Sequence, residues 1–337
     1  MRDPMRKILL IIGTALCFFC SALLFAADGW VMPRTSDGKP DLQGIWTNAT
    51  QTPLQRPSEF GNIGFLTLEQ KEAQETEWRQ RIIDRAHPSA PNRPAPPASN
   101  NNNPGGYNNF WVDRGTDVIE INGEYRTSII VDPENGRIPY QEDWRGKSML
   151  AQLRALPGVN PFDGPELRPL GERCLLAFGS GSGPPMMPVM YNNNYQIVQT
   201  ENYVMILVEM VHDARIIRID DEHHADYAKW MGDSVGHWEG DTLVVETVGL
   251  HPMQSRWGFT GNVKVSERFE LFDENKIRYG FTVEDSEVFT RAWGGEVAMN
   301  RRPEGSDRMY EYACHEGNYS FPGILGGARR LEAEEAK

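Results

Sequence analysis

The chain has little positive charge for its length. Its 337 residues include 34 Lys and Arg against 47 Asp and Glu, which gives a formal net charge of -13. Binding to a phosphate backbone or to anionic lipid needs clustered Lys and Arg side chains. The deficit of basic residues therefore argues against nucleic acid and against a membrane surface as partners of the mature protein.

The sequence also lacks the common motifs for cofactors and metals. Neither G-x-G-x-x-G nor G-x-x-x-x-G-K-[ST] occurs, so no nicotinamide or nucleotide-phosphate site is indicated. The seven histidines form no H-x-H or H-E-x-x-H pair, and outside the apolar N-terminal run there is no paired-cysteine motif. We therefore expect no organic cofactor and no bound metal. A metal site assembled from the distant residues His212, His223 and His315 is the alternative.

Cysteine is scarce, and two of the four cysteines lie in an apolar run near the N-terminus. Residues 1–27 combine basic side chains, this apolar run and the small residues Ala26 and Ala27, which is the pattern of a secretory signal peptide. We expect cleavage near residue 27 and a periplasmic or secreted mature protein. An uncleaved anchor is the alternative, because the run approaches the roughly 20 residues that a membrane span needs.

Cleavage leaves only Cys174 and Cys314. An even pair in an oxidising compartment is a candidate disulfide. This bond would close a loop of about 140 residues and contribute on the order of 4 kcal/mol in the loop-entropy model. Two buried free thiols are the alternative, because spacing alone does not reveal the geometry that a disulfide needs.

The mature chain divides into an N-terminal extension, a β-rich domain and a charged tail, at residues 28–116, 117–325 and 326–337. The extension contains one predicted helix over 66–86, where Thr67 and Gln70 resemble a capping box. A Pro- and Asn-rich linker follows at 88–107.

The β-rich domain has about nine or ten predicted strands at spacings of about 10 residues, joined by turn sequences such as Asn122-Gly123. This spacing is typical of an antiparallel sandwich or barrel. No strand–helix–strand alternation is present, which argues against a doubly wound α/β fold. We predict an all-β fold built as an antiparallel barrel, and barrels of about eight strands can hold one small ligand.

The segment Gly232–Gly236 fits G-x-S-x-G, the nucleophile elbow of serine esterases. That motif needs a buried strand before it and a helix after it. Here HHADYAKWM precedes it and the predicted hairpin HWEGDTLVVET follows it. We therefore interpret Ser234 as a structural serine in a tight turn.

The predicted strand 207–219 carries the clearest candidate chemistry. On a regular strand Glu209, Asp213 and Arg215 interrupt one otherwise apolar face. If that face lines the barrel, burial raises the pKa of a carboxylate while arginine lowers that of its neighbour, which suits acid–base catalysis. His212, on the opposite face, is the alternative base. A solvated face with a surface ion pair is the alternative to a catalytic one.

Aromatic residues are plentiful and suit a pocket for an aromatic ligand, with core packing as the alternative. The candidate pocket residues are Trp111, Asp113, Tyr191, Tyr195 and Trp238. His315 and Glu316, beside a predicted last strand, are a second acid–base candidate.

Several longer stretches resemble a large family of exported bacterial proteins. They are PRTSDGKPDLQGIWTN at 33–48, YNNFWVDRG at 107–115, RTSIIVDPENGRIP at 126–139, WMGDSVGHWEGDTLVVET at 230–247 and YEYACHEGN at 310–318. The resemblance implies a lipocalin-like barrel with an N-terminal extension. The family has no single activity, and the resemblance implies that some of its members are lyases or isomerases acting on aromatic compounds such as lignin-derived dimers. The segment DDEHHADY at 220–227 departs from the family, which usually has a Gly-containing turn before the histidine.

Together these features predict an exported enzyme that acts on a small, largely apolar aromatic molecule by cofactor-free acid–base chemistry of the lyase or isomerase type. His212 or Asp213 is the expected base, Arg215 the anion stabiliser, and His315 or Glu316 the second acid–base group. A non-catalytic lipocalin-like carrier of an apolar ligand is the alternative, and a structural module of the envelope is a third. The sequence leaves the substrate and the oligomeric state open.

Overall fold

The computed structural model describes residues 30–86, 92, 112–177, 181–224, 227–254, 256–306 and 308–337. The predicted signal peptide, most of the linker and Trp111 lie outside the described residues. Contacts group the chain into Met1–Met32 and Pro33–Lys337, and the fold is that of the second unit. None of the described helices is long and apolar enough to cross a membrane.

The described chain is mostly β. The strands are β1 Gly44–Thr47, β2 Phe65–Leu66, β3 Glu120–Ile121, β4 Glu124–Arg126, β5 Ile130–Asp132, β6 Asn194–Gln199, β7 Tyr203–Val208, β8 Ala214–Ile219, β9 Asp233–Glu239, β10 Thr242–Val248, β11 Lys264–Asp273, β12 Lys276–Glu284 and β13 Trp293–Arg301. The helices are α1 Leu68–Ala86, α2 Met149–Arg154 and α3 Ser320–Glu335.

Within the described part of the chain, nine strands form a closed barrel, because β1 pairs with both β6 and β13. β5 extends the sheet beside β13, and β2, β4 and β3 form a small separate sheet. The barrel thus includes β1, which lies in the segment interpreted as an N-terminal extension. Most of the predicted charged tail at 326–337 belongs to α3.

The prediction of a β-barrel is confirmed, but the prediction that it is antiparallel throughout is wrong. β8 and β9 run parallel, with Ile217 beside Ser234 and Ile219 beside Gly236. Parallel neighbours need a crossover connection instead of a tight hairpin, and the segment 220–232 makes that crossover. The barrel is therefore mixed.

Burial alternates along the barrel strands with a period of two, as a sheet with one solvated face requires. In β12, for example, Ile277, Tyr279, Phe281 and Val283 are buried and the residues between them are less so. Large side chains fill the interior. Those with no more than 1% exposure include Trp46, Tyr195, Phe269, Tyr279 and Trp293.

The predicted helix at 66–86 is α1, and its capping box is present. The Gln70 backbone N–H donates to Thr67 Oγ1 at 3.2 Å, and the Thr67 backbone N–H donates to Gln70 Oε1 at 2.8 Å. These reciprocal bonds satisfy donors that have no partner inside the helix. α1 contacts the remainder of the fold through buried Glu75, whose Oε1 accepts from the Val118 backbone N–H at 3.2 Å.

The prediction of a continuous strand over 207–219 is wrong. β7 ends at Val208, the chain turns through Glu209–Asp213, and β8 runs back antiparallel to β7. Because of this turn, Leu207 is only half-buried on the outer face while Arg215 is buried inside the barrel. Glu209, Asp213 and Arg215 therefore do not share a strand face.

The predicted disulfide is confirmed. Cys174 and Cys314 are bonded, with their Cα atoms 5.7 Å apart and 140 residues between them in sequence. The bond fastens the segment that follows β13 to the long connection between β5 and β6. Such a long closed loop restricts the unfolded chain strongly.

The two ends of the barrel differ. The pairings place the ends of β1, β7, β10 and β12 at the same end as the starts of β6, β8, β9, β11 and β13. At this end, which we call the loop end, the long connections from β1 to β6, from β10 to β11 and from β12 to β13 begin and end. The opposite end has tight turns such as Gly240-Asp241.

Candidate functional site

A cleft of about 550 Å³ opens at the loop end of the barrel. We call it cleft A. Its walls come from the connections around residues 140–144, 169–177, 182–183 and 253–258. The rings of Tyr140 and Trp144 stack with centroids 4.0 Å apart and form one aromatic wall. Trp257 forms another and contacts Trp293 edge-on at 5.6 Å. Flat apolar walls of this kind suit an aromatic ligand.

Arg256 provides positive charge in cleft A. Its guanidinium lies 5.3 Å from the centre of the Trp257 ring. Among the described residues, no acceptor forms a hydrogen bond or an ion pair with this guanidinium. Burial lowers the pKa of Arg256 to about 10, and nearby Tyr140 opposes that shift. Arg256 is therefore still charged near neutral pH, and it is available to bind an anionic oxygen.

Tyr140 faces the same space as a neutral phenol. Burial raises the pKa of Tyr140 to about 12, although the positive charges of Arg256 and Arg145 oppose the rise. A phenol with this pKa keeps its proton near neutral pH. It can therefore donate a hydrogen bond or a proton to a ligand that lies against the aromatic wall.

Ser182 and Asp213 form a hydrogen-bonded pair beside cleft A. The Ser182 hydroxyl donates to Asp213 Oδ2, and the Ala177 backbone N–H lies 3.1 Å from that carboxylate oxygen and 3.2 Å from Ser182 Oγ. Ser182 lines cleft A and is 4% exposed. Burial raises the pKa of Asp213, and the hydrogen bonds from Ser182 and Ala177 partly oppose this. A carboxylate with a raised pKa accepts a proton more readily than an exposed one.

Buried tyrosines in the barrel hold the segment that carries Ser182. The Tyr195 hydroxyl donates to the Gly181 carbonyl oxygen at 2.9 Å. The Met186 backbone N–H donates to the Tyr279 hydroxyl at 2.8 Å, and this hydroxyl donates to Glu267 Oε1 at 2.7 Å. The barrel interior thus fixes both sides of the Ser182 segment.

Arg215 belongs to this buried support. Its two terminal nitrogens donate to the Glu267 carboxylate at 3.1 and 2.7 Å, and the side chains are 2% and 0% exposed. The guanidinium expected to stabilise an anion is therefore already paired inside the barrel. Tyr195, expected in the pocket, is likewise fully buried in the interior.

Residues with positive φ lie next to Asp213 and Arg256 in the sequence. Val211 and His212, which precede Asp213, have φ of 63° and 46°, and Trp257, which follows Arg256, has φ of 51°. Such conformations cost about 1–3 kcal/mol for residues other than glycine and cluster at functional sites. The backbone therefore holds both Asp213 and Arg256 in place against local preference.

His212, the alternative base, is exposed, and its Nδ1 lies 3.2 Å from the Tyr312 carbonyl oxygen. We expect His212→Gly to raise the free energy of unfolding by up to about 1 kcal/mol, because glycine relieves the positive φ. Turnover should change by less than about threefold, because the side chain does not line cleft A. Urea unfolding and steady-state kinetics measure the two effects.

Asp220→Gly is the matched control, because Asp220 is exposed with φ of 52° and lies at the far end of β8. A large loss of turnover in His212→Gly alone would identify His212 as the base.

Glu209 and Tyr191 line a different cleft, under the C-terminal segment. Glu209 is 4% exposed and accepts from Asn194 Nδ2 at 2.5 Å and from the Tyr310 backbone N–H at 3.2 Å. Its position is explained by these structural bonds. His315 and Glu316 are both exposed near this segment, and no described contact joins them to Asp213 or Arg215.

The two remaining predicted pocket residues that the structure describes, Asp113 and Trp238, do not line cleft A. Asp113 is exposed, and its backbone N–H donates to the Met190 carbonyl oxygen at 2.9 Å. Trp238 is half-buried in β9 and pairs across the sheet with Leu243. Trp111 is outside the described residues.

Ser234 is structural, but it lies in β9 and not in a tight turn. It is 2% exposed, and its Oγ lies 2.8 Å from Thr247 Oγ1. The neighbouring Asp233 is held by Arg218, Lys229 and His223. The hydrogen bonds from Arg218, the largest cause, keep the pKa of Asp233 well below its usual range. The described residues contain no cluster of three or more His, Cys, Asp or Glu that could hold a metal ion.

Sequence reasoning missed four residues of cleft A: Tyr140, Trp144, Ser182 and Arg256. Ser182 lies in the run GSGPP, whose glycine and prolines indicate only a loop. Arg256 and Trp144 belong to connections that are distant in sequence. Only the closure of the barrel brings these connections to one end. No local pattern would have selected these residues.

Comparison of the chain with protein-family models, with curated proteins and with solved structures gives no match.

Proposed function

We propose that this protein is an enzyme that binds a small aromatic molecule in cleft A and transforms it by acid–base chemistry of the lyase or isomerase type. One observation carries the proposal: Arg256, a charged arginine without an ion pair among the described residues, lies in an aromatic cleft that is also lined by Ser182, the hydrogen-bond partner of Asp213. An unpaired cation beside a proton acceptor suits removal of a proton from a substrate whose oxygen gains negative charge.

In this reaction the aromatic ring of the substrate packs against Tyr140 and Trp144, and its oxygen substituent faces Arg256. Ser182 Oγ takes a proton from the substrate while the proton of Ser182 moves to Asp213 Oδ2. The electron pair left on the substrate is drawn toward the oxygen that Arg256 stabilises. Tyr140, as a neutral phenol, returns a proton to the rearranged substrate or to the leaving group. The Tyr140 phenolate then takes a proton from water and Asp213 releases its proton to water, which restores both groups.

We further propose that the barrel is lipocalin-like, that the chain is a member of the exported family it resembles, and that it works in the periplasm or outside the cell. The Cys174–Cys314 disulfide supports export, because such bonds persist in oxidising compartments. A non-catalytic carrier is the second candidate. It is favoured by the apolar walls of cleft A and weakened by the side chains that fill the barrel interior, where a lipocalin-like carrier would hold its ligand.

The test is a screen of phenolic and carboxylated aromatic compounds for conversion, followed by mass spectrometry. We expect the protein to convert at least one compound. We expect Arg256→Gln to lower kcat/KM by about a hundredfold, because it removes the charge that stabilises the oxyanion. The kcat/KM of Arg256→Lys should lie between that of the wild type and that of Arg256→Gln.

Arg145→Gln is the matched control, because Arg145 also lies over an aromatic ring, at 4.8 Å from the centre of Trp144, but is exposed. It should retain kcat/KM within about threefold. Tight binding of a compound without any conversion, unchanged in Arg256→Gln, would favour the carrier instead.

A further inference from the structure

A second cleft, of about 580 Å³, lies on the other side of Arg256 and Trp257, which line both spaces. We call it cleft B. Its other walls come from residues 50–54, from α1 and from residues 187–191. Cleft B takes no part in the proton transfer proposed for cleft A, because neither Ser182 nor Asp213 lines it.

The surface of cleft B is largely apolar. Its floor contains Met187, Met210 and Ile129, which are 3%, 1% and 2% exposed. Trp78 of α1 and the exposed Met190 form its rim. Methionine side chains are flexible and polarisable, so such a surface adapts to ligands of different shape.

Charge in cleft B is of one sign. Arg114 and Arg256 line it, and no described Asp or Glu does. Arg114 is exposed, and among the described residues it has no ion pair and no side-chain hydrogen bond. In a chain with 47 acidic against 34 basic residues, an apolar cleft with two arginines and no carboxylate is an exception to the surrounding charge. It is complementary to an apolar anion.

We propose that cleft B is a binding site for an apolar organic monoanion, an aromatic or aliphatic carboxylate whose charged group meets Arg114 and whose apolar part covers the methionines and Trp78. Arginine matches a carboxylate with two parallel N–H donors, and the apolar body supplies burial. A ligand here also approaches Arg256 from the side opposite cleft A. Occupation of cleft B therefore competes for the cation that cleft A uses.

The test measures binding of 2-naphthoate by isothermal titration calorimetry, with the neutral 2-naphthamide as its isostere. We expect saturable binding of one 2-naphthoate. Arg114→Gln should weaken the Kd about tenfold or more, and Arg114→Lys should remain within about threefold of the wild type. Met190→Glu places a like charge at the exposed rim and should also weaken the Kd by about tenfold or more. Binding of 2-naphthamide should be weaker and insensitive to Arg114→Gln.

Two controls separate this site from cleft A. Trp144 lines cleft A but not cleft B, so Trp144→Ala should leave the Kd unchanged. Arg137→Gln, which removes an exposed arginine that lines neither cleft, should also leave it unchanged. The proposal is overturned if no saturable binding occurs. It is also overturned if Arg114→Gln and Met190→Glu both bind as the wild type does, or if Trp144→Ala abolishes binding. Because the readout is binding, it does not depend on turnover in cleft A.

Discussion

Asp213→Asn is expected to lower kcat/KM by about 10²- to 10⁴-fold, which is the contribution of a positioned general base. The amide of asparagine keeps the size of the side chain and a hydrogen-bond acceptor for Ser182, but it cannot take up the proton. The loss should appear in kcat, because the Asp213 side chain does not itself form a wall of cleft A. Steady-state kinetics on a substrate found by the screen measures the effect.

The pH profile of kcat/KM tests the same assignment. The ionised form of Asp213 is the base, so activity rises with pH through the pKa of this carboxyl, which burial raises above its ordinary value of 3.8. Activity should fall again toward pH 10, where Arg256 begins to lose its charge because burial lowers its pKa to about 10. Asp213→Asn should remove the acidic limb of the profile.

The stability of Asp213→Asn helps to separate catalysis from folding. A carboxyl with a raised pKa costs stability once the pH exceeds the pKa of the unfolded chain, and replacing it by a neutral amide removes that cost. We therefore expect the variant to stay folded at neutral pH, as judged by circular dichroism. Asp220→Asn is the matched control and should keep full activity. A near wild-type rate in Asp213→Asn would exclude this residue as the base.

Glu267→Gln is expected to lower the free energy of unfolding by about 3–5 kcal/mol, the cost of breaking a buried ion pair on one side. Arg215 and Glu267 are 3% and 0% exposed, so water cannot replace the lost charge. The unpaired guanidinium would stay inside the barrel. Urea denaturation measures the loss, and kinetics should show a parallel fall in activity, because Glu267 also accepts from Tyr279, which holds the Ser182 segment.

The double variant Arg215→Met with Glu267→Leu is the companion to this experiment. Replacing both charges by apolar side chains removes the unpaired charge, and such exchanges are often neutral or even stabilising. We expect the double variant to recover a large part of the stability that Glu267→Gln loses. If the free energy of unfolding of Glu267→Gln lies within about 1 kcal/mol of the wild-type value, the ion pair between Arg215 and Glu267 does not stabilise the fold.

Local patterns predicted the elements whose determinants are local. The capping pair Thr67 and Gln70 marks the start of α1, because both groups lie within one helical turn. The turn Glu239-Gly240-Asp241 separates β9 from β10, because glycine accepts the positive φ of 61° that the turn requires. The disulfide was also predictable, although only as one of two alternatives.

Prediction failed where distant contacts overrule local preference. Val211 has a high strand propensity, so the run 207–219 resembles one strand. In the fold Val211 is buried in a turn with φ of 63°, packed near Ala177 and Met210. Burial of its apolar side chain outweighs the backbone cost. The predicted last strand near Met309–Glu316 is absent for a related reason: β1 closes the barrel against β13, so no further partner is needed there.

The sequence by itself determined the class of fold, because the alternation of apolar and polar residues and the frequent turn residues are properties of neighbours along the chain. It also determined the acidic balance, the presence of only two cysteines outside the apolar N-terminal run and the helix at Leu68–Ala86. Only the tertiary structure decided that β8 and β9 are parallel, that Arg215 is neutralised by Glu267, and that the polar groups lining cleft A come from Arg256, Tyr140 and Ser182. The physical reason is that pairing, burial and pKa depend on groups that are distant in sequence and meet only when the barrel closes.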